Sequence, residues 1–586
     1  MILNKIKKAT SVFKQFWKLL SQKFRVQFCL MFFAILIGSL LETLGVSVLL
    51  PLIQAILTPE KLMENKYVIP LVKFFNIQSS SAFVLAVSIF VVIFYIIKNL
   101  YQILNNYWQN KFRTNLLAYI TETMMASYMH RPYSFFIDNN SSILMRNVLN
   151  DTGGVTTCVT SLFQIITTMF VVIFMFIFLF ITDATLASGL CISAVLVLGC
   201  SIIILGKPLR SFGEKLRITD GACYKHCQQA FQGIKEIIVN KKEDYFARQY
   251  KLSYDEKNRA DVKKSVLEYI PNRMIEAVCL SVLVLLISYN VISGRVLSEV
   301  MIANLGAFAV AAFKLLPSVS ALSSNFNLYL VQYTAVQAVF TNLEEARHYI
   351  AKNGNDKISF NNCFQTKNLC FSYPKNPEKL ILDNVNTEIK NGDVVGIKGS
   401  SGAGKTTYVD LLLGLLEPVS GDILIDGVKL SDANINSWRE KISYVPQTAY
   451  LIDDTIRANI AFGIPEKEID EERIQIAMKE AMLYEYVSGL PDKEYTVVGE
   501  RGVQMSGGQR QRLSIARALY TNPSIIIFDE ATSALDEITE KEIMESIDNL
   551  IGQKTLIIIA HRLSTLKKCN KIFEVADGKI KISENS

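Results

Sequence analysis

The sequence predicts two halves of different class: an α-helical domain of six membrane spans, then an α/β domain carrying a phosphate-binding loop. Three observations predict this. Half of the 586 residues are apolar. They are unevenly spread: runs long enough to cross a bilayer crowd the chain before about residue 330, and ordinary soluble alternation follows. Second, Gly399-Ser400-Ser401-Gly402-Ala403-Gly404-Lys405-Thr406-Thr407 fits the loop pattern of two glycines separated by four residues, then Lys and Ser/Thr. Third, Ile525-Ile526-Ile527-Phe528-Asp529-Glu530 reads as an apolar strand ending in two carboxylates.

Bulk properties narrow the classes further. The net charge of +7 is modest for this length, and Lys and Arg sit beside apolar runs, which suits cytoplasmic membrane edges and argues against a nucleic-acid partner. The ten cysteines are scattered, and Cys29, Cys191, Cys200 and Cys279 lie inside apolar runs. That is the usage of small buried residues rather than of a disulfide framework. Cys223, His226 and Cys227 are close in sequence but match no standard zinc spacing. Residues 1–25 hold seven Lys/Arg and no acid, and the first apolar run is too long for a signal core, so no cleavable signal is expected.

In chain order, residues 1–25 read as a basic amphipathic lead-in with Phe13, Phe16, Trp17, Leu19 and Leu20 interleaved. It would lie along the cytoplasmic membrane surface or form a solvated tail. The membrane domain, 26–330, has six candidate spans: 26–57, 82–108, 155–181, 184–206, 272–292 and 299–325. An even number returns the chain to the side where the soluble half must lie. Lys and Arg concentrate in the lead-in and in the connections 109–154 and 207–271, which are therefore placed in the cytoplasm and read as helical extensions of the spans. The outer connection 58–81 includes Val68, Ile69, Leu71, Val72, Phe74 and Phe75, a short surface helix or a plain loop. Glu42, Arg273, Glu276 and Lys314 are ionisable residues inside spans, expected either to pair between helices or to face a polar cavity. Residues 331–357 form a linker with a polar end, and the soluble domain occupies 358–586.

The phosphate loop has the composition its chemistry needs. A triphosphate requires many convergent donors. Glycines let successive backbone N–H groups turn inward, and the following helix adds its positive end. Lys405 can reach the outer phosphates, and the Thr406 hydroxyl can hold Mg2+. Asp529 suits the same cation, and Glu530 suits the polarising of an attacking water. Tyr373, in Phe371-Ser372-Tyr373-Pro374, can stack on an adenine ring. Met505-Ser506-Gly507-Gly508-Gln509 opens a helix with a second anion-binding composition. One nucleotide does not need two such sites, so this segment is expected to complete the site of a second copy.

These motifs together resemble the ATPase of the ABC transporters, across the whole soluble half. The resemblance implies a RecA-like core with a helical subdomain. It makes Gln447, in Tyr444-Val445-Pro446-Gln447, the residue that senses Mg2+ and the membrane domain. It places Asp536, in Ser533-Ala534-Leu535-Asp536, in the loop after the acidic strand, and puts His561 against the γ-phosphate. The one departure is Met505 where the family has Leu, both apolar packing residues. Spans followed by ATPase in one chain resemble the exporter class, and Val498-Gly499-Glu500-Arg501-Gly502 is similar to its segment preceding the signature. Chains of that class dimerise, use ATP with Mg2+, and lie in the inner or plasma membrane with the ATPase in the cytoplasm.

For the substrate the signal is weaker. No peptidase domain precedes the first span, which disfavours a peptide-processing exporter. Leu41-Glu42-Thr43-Leu44-Gly45 with Pro51, and Gln232-Gly233-Ile234-Lys235-Glu236-Ile237 followed by Glu243-Asp244-Tyr245-Phe246, resemble the lipid-linked oligosaccharide flippases. In that branch Arg273 and Lys314 would be candidates to meet a diphosphate. A multidrug or general lipid exporter, and an ATP-gated regulator that moves no substrate, are the alternatives.

Overall fold

Apolar helices that enter lipid must satisfy every backbone polar group internally, and among the described residues the first half of the chain contains six long helices, of 26 to 52 residues. These are α1 (Gln22–Ser47), α2 (Ser80–Met129), α3 (Thr152–Thr182), α4 (Ala184–Gln232), α5 (Glu243–Ile292) and α6 (Glu299–Ile350). The computed structural model describes residues 14, 17, 18, 20–64, 68–74, 79–182, 184–292, 299–350, 354, 356–499, 502–531, 537–560 and 566–584. They divide into two units: residues 1–130 with 139–347, and residues 131–138 with 348–586.

Among the described residues, four helical stretches are long and apolar enough to cross a membrane: Gln22–Ile56, Ser80–Met129, Ser141–Ile181 and Ala187–Gln232. The expected spans 272–292 and 299–325 fall on α5 and α6, which are not among these four. The first span is not one helix. It breaks at Val48 and restarts as Leu49–Leu57, with Pro51 in the new first turn, where a missing N–H costs no helical bond. The outer connection contains two short helices, Pro59–Met63 and Ile69–Phe74. Helix α6 continues to Ile350, so most of the expected linker 331–357 is helical.

A polar seam joins α1 to α2. Gly38 and Gly45 let the helices approach closely: a Cβ at Gly38 would sit 3.1 Å from the Asn105 amide, and one at Gly45 would sit 3.2 Å from the Lys98 stem. Lys98 pairs with Glu42 at 2.9 Å. Tyr95 donates to the Gly45 carbonyl (2.9 Å), Tyr101 to Ala34 (2.7 Å) and Gln102 to Gly38 (2.9 Å). Glu42 is thus a paired residue. Arg273 and Glu276 are also paired, with each other at 2.8 Å along exposed α5. The side chain of Lys314 lies outside the described residues.

Elsewhere in this unit, a π turn at Asn147–Asp151 precedes α3. Asp151 accepts from Arg217 at 2.9 Å and faces Arg146 at 3.8 Å. Arg146 donates to the Asn147 side chain (2.8 Å), and Asn147 donates to the Tyr128 hydroxyl (2.9 Å). Both arginines are needed here, because a buried carboxylate without cations would be strongly disfavoured. Nine cysteines are described, and all are free thiols.

The second unit is an α/β domain. Strands β1 (Cys363–Phe371), β2 (Leu382–Lys390), β4 (Ser420–Ile425) and β5 (Val428–Lys429) form an antiparallel sheet in the order β2-β1-β4-β5. The main sheet joins β3 (Val394–Gly399), β6 (Ile442–Val445), β7 (Ile525–Asp529), β8 (Thr555–Ile559), β9 (Lys571–Ala576) and β10 (Lys579–Glu584). Its order is β10-β9-β3-β8-β7-β6, parallel except for β10. Strands β7 and β8 are buried along their whole length, as apolar runs covered on both faces must be. One face packs on α7 (Lys405–Leu412) through Tyr408, Val409, Leu411 and Leu412. The other meets α8 (Gly507–Tyr520) and the helix Glu471–Glu480 through Leu513, Ile515, Leu519, Ile474 and Met478. This sheet brings the loop after β3 and the end of β7 to the same edge, with β8 between them. The short helix Tyr133–Asp138 belongs to this unit, tied by Asp138 to Lys375 at 2.9 Å.

Candidate nucleotide-binding site

The phosphate loop leaves β3 at Gly399 and enters α7 at Lys405. Gly402 and Gly404 have φ of 79° and 102°, a left-handed backbone open to glycine at little cost. That geometry is what turns consecutive N–H groups toward one point. Ser400, Ser401, Gly402 and Thr406 are exposed along the loop, and Ala403 is partly covered. Lys405 is buried: its ammonium donates to the carbonyls of Gly399 (2.9 Å) and Ser400 (3.0 Å), bracing the loop from beneath. Thr407 is buried, and its hydroxyl shares a 3.0 Å hydrogen bond with that of Tyr373. The Tyr373 ring meets Phe371 edge-on with centroids 5.1 Å apart. The expected adenine-stacking ring is therefore anchored to the phosphate loop itself.

The carboxylates at the end of β7 have separate environments. Asp529 is buried and accepts from the Tyr444 hydroxyl at 2.9 Å. Burial pushes its pKa up, opposed by the Tyr444 hydrogen bond and raised further by neighbouring Glu530. Glu530 lies just past the strand with φ of 47°, a conformation costly for a residue with a Cβ. Its N–H still pairs with Ile559 at 3.0 Å, so the sheet enforces the turn. Its carboxylate accepts from the Gln447 amide at 2.8 Å. Asp410 of α7 is a third acid in this group: burial, then the charge of Asp529, raises its pKa to about 6.

Thr406, Gln447 and Asp529 offer hydroxyl, amide and carboxylate oxygens. Such hard donors, with only one carboxylate, suit Mg2+ that completes its shell with phosphate and water. Among the described residues no group of three or more His, Cys, Asp or Glu is placed to hold a metal alone. Cys223, His226 and Cys227 form no such group either.

The segment Ser506–Gln509 forms the N-terminus of α8. The Ser506 hydroxyl accepts from the Gln509 N–H (3.3 Å) and the Gln509 side chain accepts from the Ser506 N–H (2.8 Å), a reciprocal capping box. Gly507 is exposed and Gly508 buried. Met505 is buried in the apolar core, where the family's Leu would also pack. From α8, Gln511 donates to the Pro446 carbonyl at 3.2 Å, tying this helix to the loop that carries Gln447. Asp536 and His561 lie outside the described residues. The sequence reading overlooked Tyr444, Asp410 and Gln511. The parallel pairing of Tyr444 with Ile527, two residues before Asp529, is the signal, and it exists only once β6 is paired with β7.

Comparison with known proteins places this geometry. Residues 382–533 match the ABC transporter family model, and residues 23–313 match the ABC transporter transmembrane region. The ATP-dependent lipid A-core flippase of Saccharophagus degradans is 31% identical over 84% of this chain and 83% of its own. Multidrug resistance protein 4 of Entamoeba histolytica is 40% identical over 36% of this chain and 16% of its own. A bacterial Atm1-family ABC exporter solved with ATP bound shares the fold, with a TM-score of 0.78 at 22% identity over 96% of this chain and 95% of that one. The chain belongs to the ABC transporter family, as a multi-pass, exporter-type member in which a fused ATPase domain couples ATP hydrolysis to transport.

Proposed function

We propose that two copies of this chain form a flippase for an amphipathic lipid, the best candidate being a lipid-linked oligosaccharide or a related lipid. The observation that carries this is the extent of the likeness. The lipid A-core flippase relative aligns over 84% of the chain, and so through both halves, whereas the multidrug relative aligns over only 36% of it. Substrate choice resides in the membrane half, so that half is the informative one. In the proposed assembly each chain has six spans, α1 to α6, and the ATPase faces the cytoplasm of a bacterial inner membrane.

ATP would bind between the phosphate loop of one chain and Ser506–Gln509 of the other. Tyr373 stacks on the base, and the loop N–H groups with Lys405 hold the phosphates. Thr406, Gln447 and Asp529 would hold Mg2+, which supplies charge neutralisation at the transferring phosphate. Glu530 orients and polarises the attacking water, with Asp536 and His561 closing the site. Closure of the two ATPase domains moves the membrane helices, and hydrolysis resets them. The site assignment is tested by Glu530→Gln: nucleotide binding is retained and turnover falls by two orders of magnitude or more (order of magnitude from loss of general-base catalysis). Unchanged turnover removes Glu530 from that role. The substrate assignment is tested in proteoliposomes. A fluorescent lipid-linked glycan should be flipped in an ATP-dependent way and should stimulate the ATPase. Stimulation by hydrophobic drugs alone would favour the multidrug reading, and no stimulation by either would favour a regulator.

A further inference from the structure

Lys14, Trp17 and Lys18 of the lead-in and the start of α1 line a groove of about 620 Å3 that serves none of the chemistry above. Its base is the α1 face formed by Phe28, Cys29, Phe32 and Phe33. Its mouth is formed by Lys14, Trp17 and Lys18. The base is rigid. Phe28 is buried and packs on Phe163 with centroids 5.0 Å apart and on Phe112 at 6.4 Å. The mouth is fixed to it: the Trp17 ring meets Phe28 edge-on at 5.8 Å, and Arg25 donates to the Trp17 carbonyl at 3.1 Å with its guanidinium 5.8 Å from the indole. Lys14 and Lys18 are exposed and one helical turn apart.

We infer that this groove binds an anionic glycerophospholipid of the leaflet bordering the lead-in, with one acyl chain along α1 and the phosphate headgroup at Lys14 and Lys18. The length fits. On α1 the lining runs from Phe28 to Phe33, a rise of about 8 Å. That is about half the depth of one leaflet of a ~30 Å hydrocarbon core, enough for the headgroup-proximal part of one acyl chain. The sequence of surfaces fits too. Apolar lining lies at depth, an amphipathic indole at the headgroup level, and two cations outermost, the order a lipid presents in reverse. Among the described residues no acid lines the groove, so none of them opposes a phosphate. The site needs neither nucleotide nor transported substrate, and it stands whatever lipid the protein flips.

The test uses the full-length protein in nanodiscs and the fluorescence of Trp17. Trp108→Phe removes the other tryptophan exposed on a span, and Trp438, buried in the ATPase core, remains as a constant background. Brominated phosphatidylglycerol and brominated phosphatidylcholine are titrated as quenchers, and nucleotide binding confirms that each variant is folded. Brominated phosphatidylglycerol should quench at a much lower mole fraction, by roughly fivefold per lysine. Lys14→Gln with Lys18→Gln should erase that preference while leaving quenching by the neutral lipid. Equal quenching by both lipids in the unsubstituted groove would mean apolar contact without headgroup recognition and would overturn the inference. Absence of quenching by either would show that no lipid enters, with the same consequence.

Discussion

Asp410 and Tyr444 show how single side chains set the orientation and charge of the acidic group at the end of β7. Tyr444 donates to Asp529, which fixes one carboxylate oxygen and orients the other. Tyr444→Phe removes that bond, so the Mg2+ concentration for half-maximal ATPase activity should rise several-fold while nucleotide affinity without Mg2+ is unchanged. Equal Mg2+ requirements would show that the strand alone orients Asp529. Asp410 acts through charge. Its pKa is 3.8 ordinarily and about 6 in the fold, so between these values the folded state holds a proton that the unfolded chain has lost. Its contribution is therefore favourable at low pH and is lost as pH rises through about 6. At neutral pH the half-buried charge is destabilising, by less than ~3 kcal/mol once solvent screening is allowed for. Asp410→Asn should raise the nucleotide-free melting temperature at pH 7 and flatten its dependence between about pH 4 and 6. An unchanged pH profile would place the charge elsewhere. Neither residue was legible in the sequence. The loop and the acidic strand end are local patterns that any reader of the chain can find. Tyr444 and Asp410 gain meaning only when β6, β7 and α7 come together, and sequence spacing does not record which strands become neighbours.

At the scale of elements, the α1–α2 seam makes the same point in the membrane. Glu42 is visible as an acid in an apolar run, but its partner Lys98 sits 56 positions later. The register is written in two matching intervals: Gly38 and Gly45 are seven apart, and so are Asn105 and Lys98, which fill the space those glycines leave. A single-sequence reading sees polar interruptions in two spans and has no warrant for joining them. The break at Val48 was likewise hidden, because Pro51 three residues later marks a helix start as readily as an end. The seam yields an asymmetric test. Lys98→Met leaves Glu42 without its cation between helices, and removing one member of a buried pair costs ~3–5 kcal/mol. The melting temperature of the detergent-solubilised protein should drop clearly, and Lys98→Met combined with Glu42→Gln should recover most of the loss. If the single and double variants melt alike, the pair contributes no more than its packing volume.

For the whole molecule, the question is how one chain uses two anion-binding helix ends. The phosphate loop at α7 and the Ser506–Gln509 segment at α8 are both formed in a single copy, and Ser506 and Gln509 satisfy each other in a capping box. A capped helix end is already stable without ligand, so occupancy by a phosphate must come from a geometry that brings another loop to it. In the proposed dimer a second copy would provide this by two-fold symmetry, since an isologous pair would place each loop against the other's Ser506–Gln509 segment. Complementation distinguishes this from a site built within one chain. Lys405→Ala spoils the phosphate loop and Ser506→Arg blocks the signature, so homodimers of either variant should be inactive. Co-assembled and separated by two affinity tags, the mixed dimer places both lesions in one site and leaves the other site intact. It should recover measurable ATPase activity, the amount depending on how far the paired sites rely on each other. If each chain instead formed its site alone, both chains of the mixed dimer would carry a spoiled site and no activity would return.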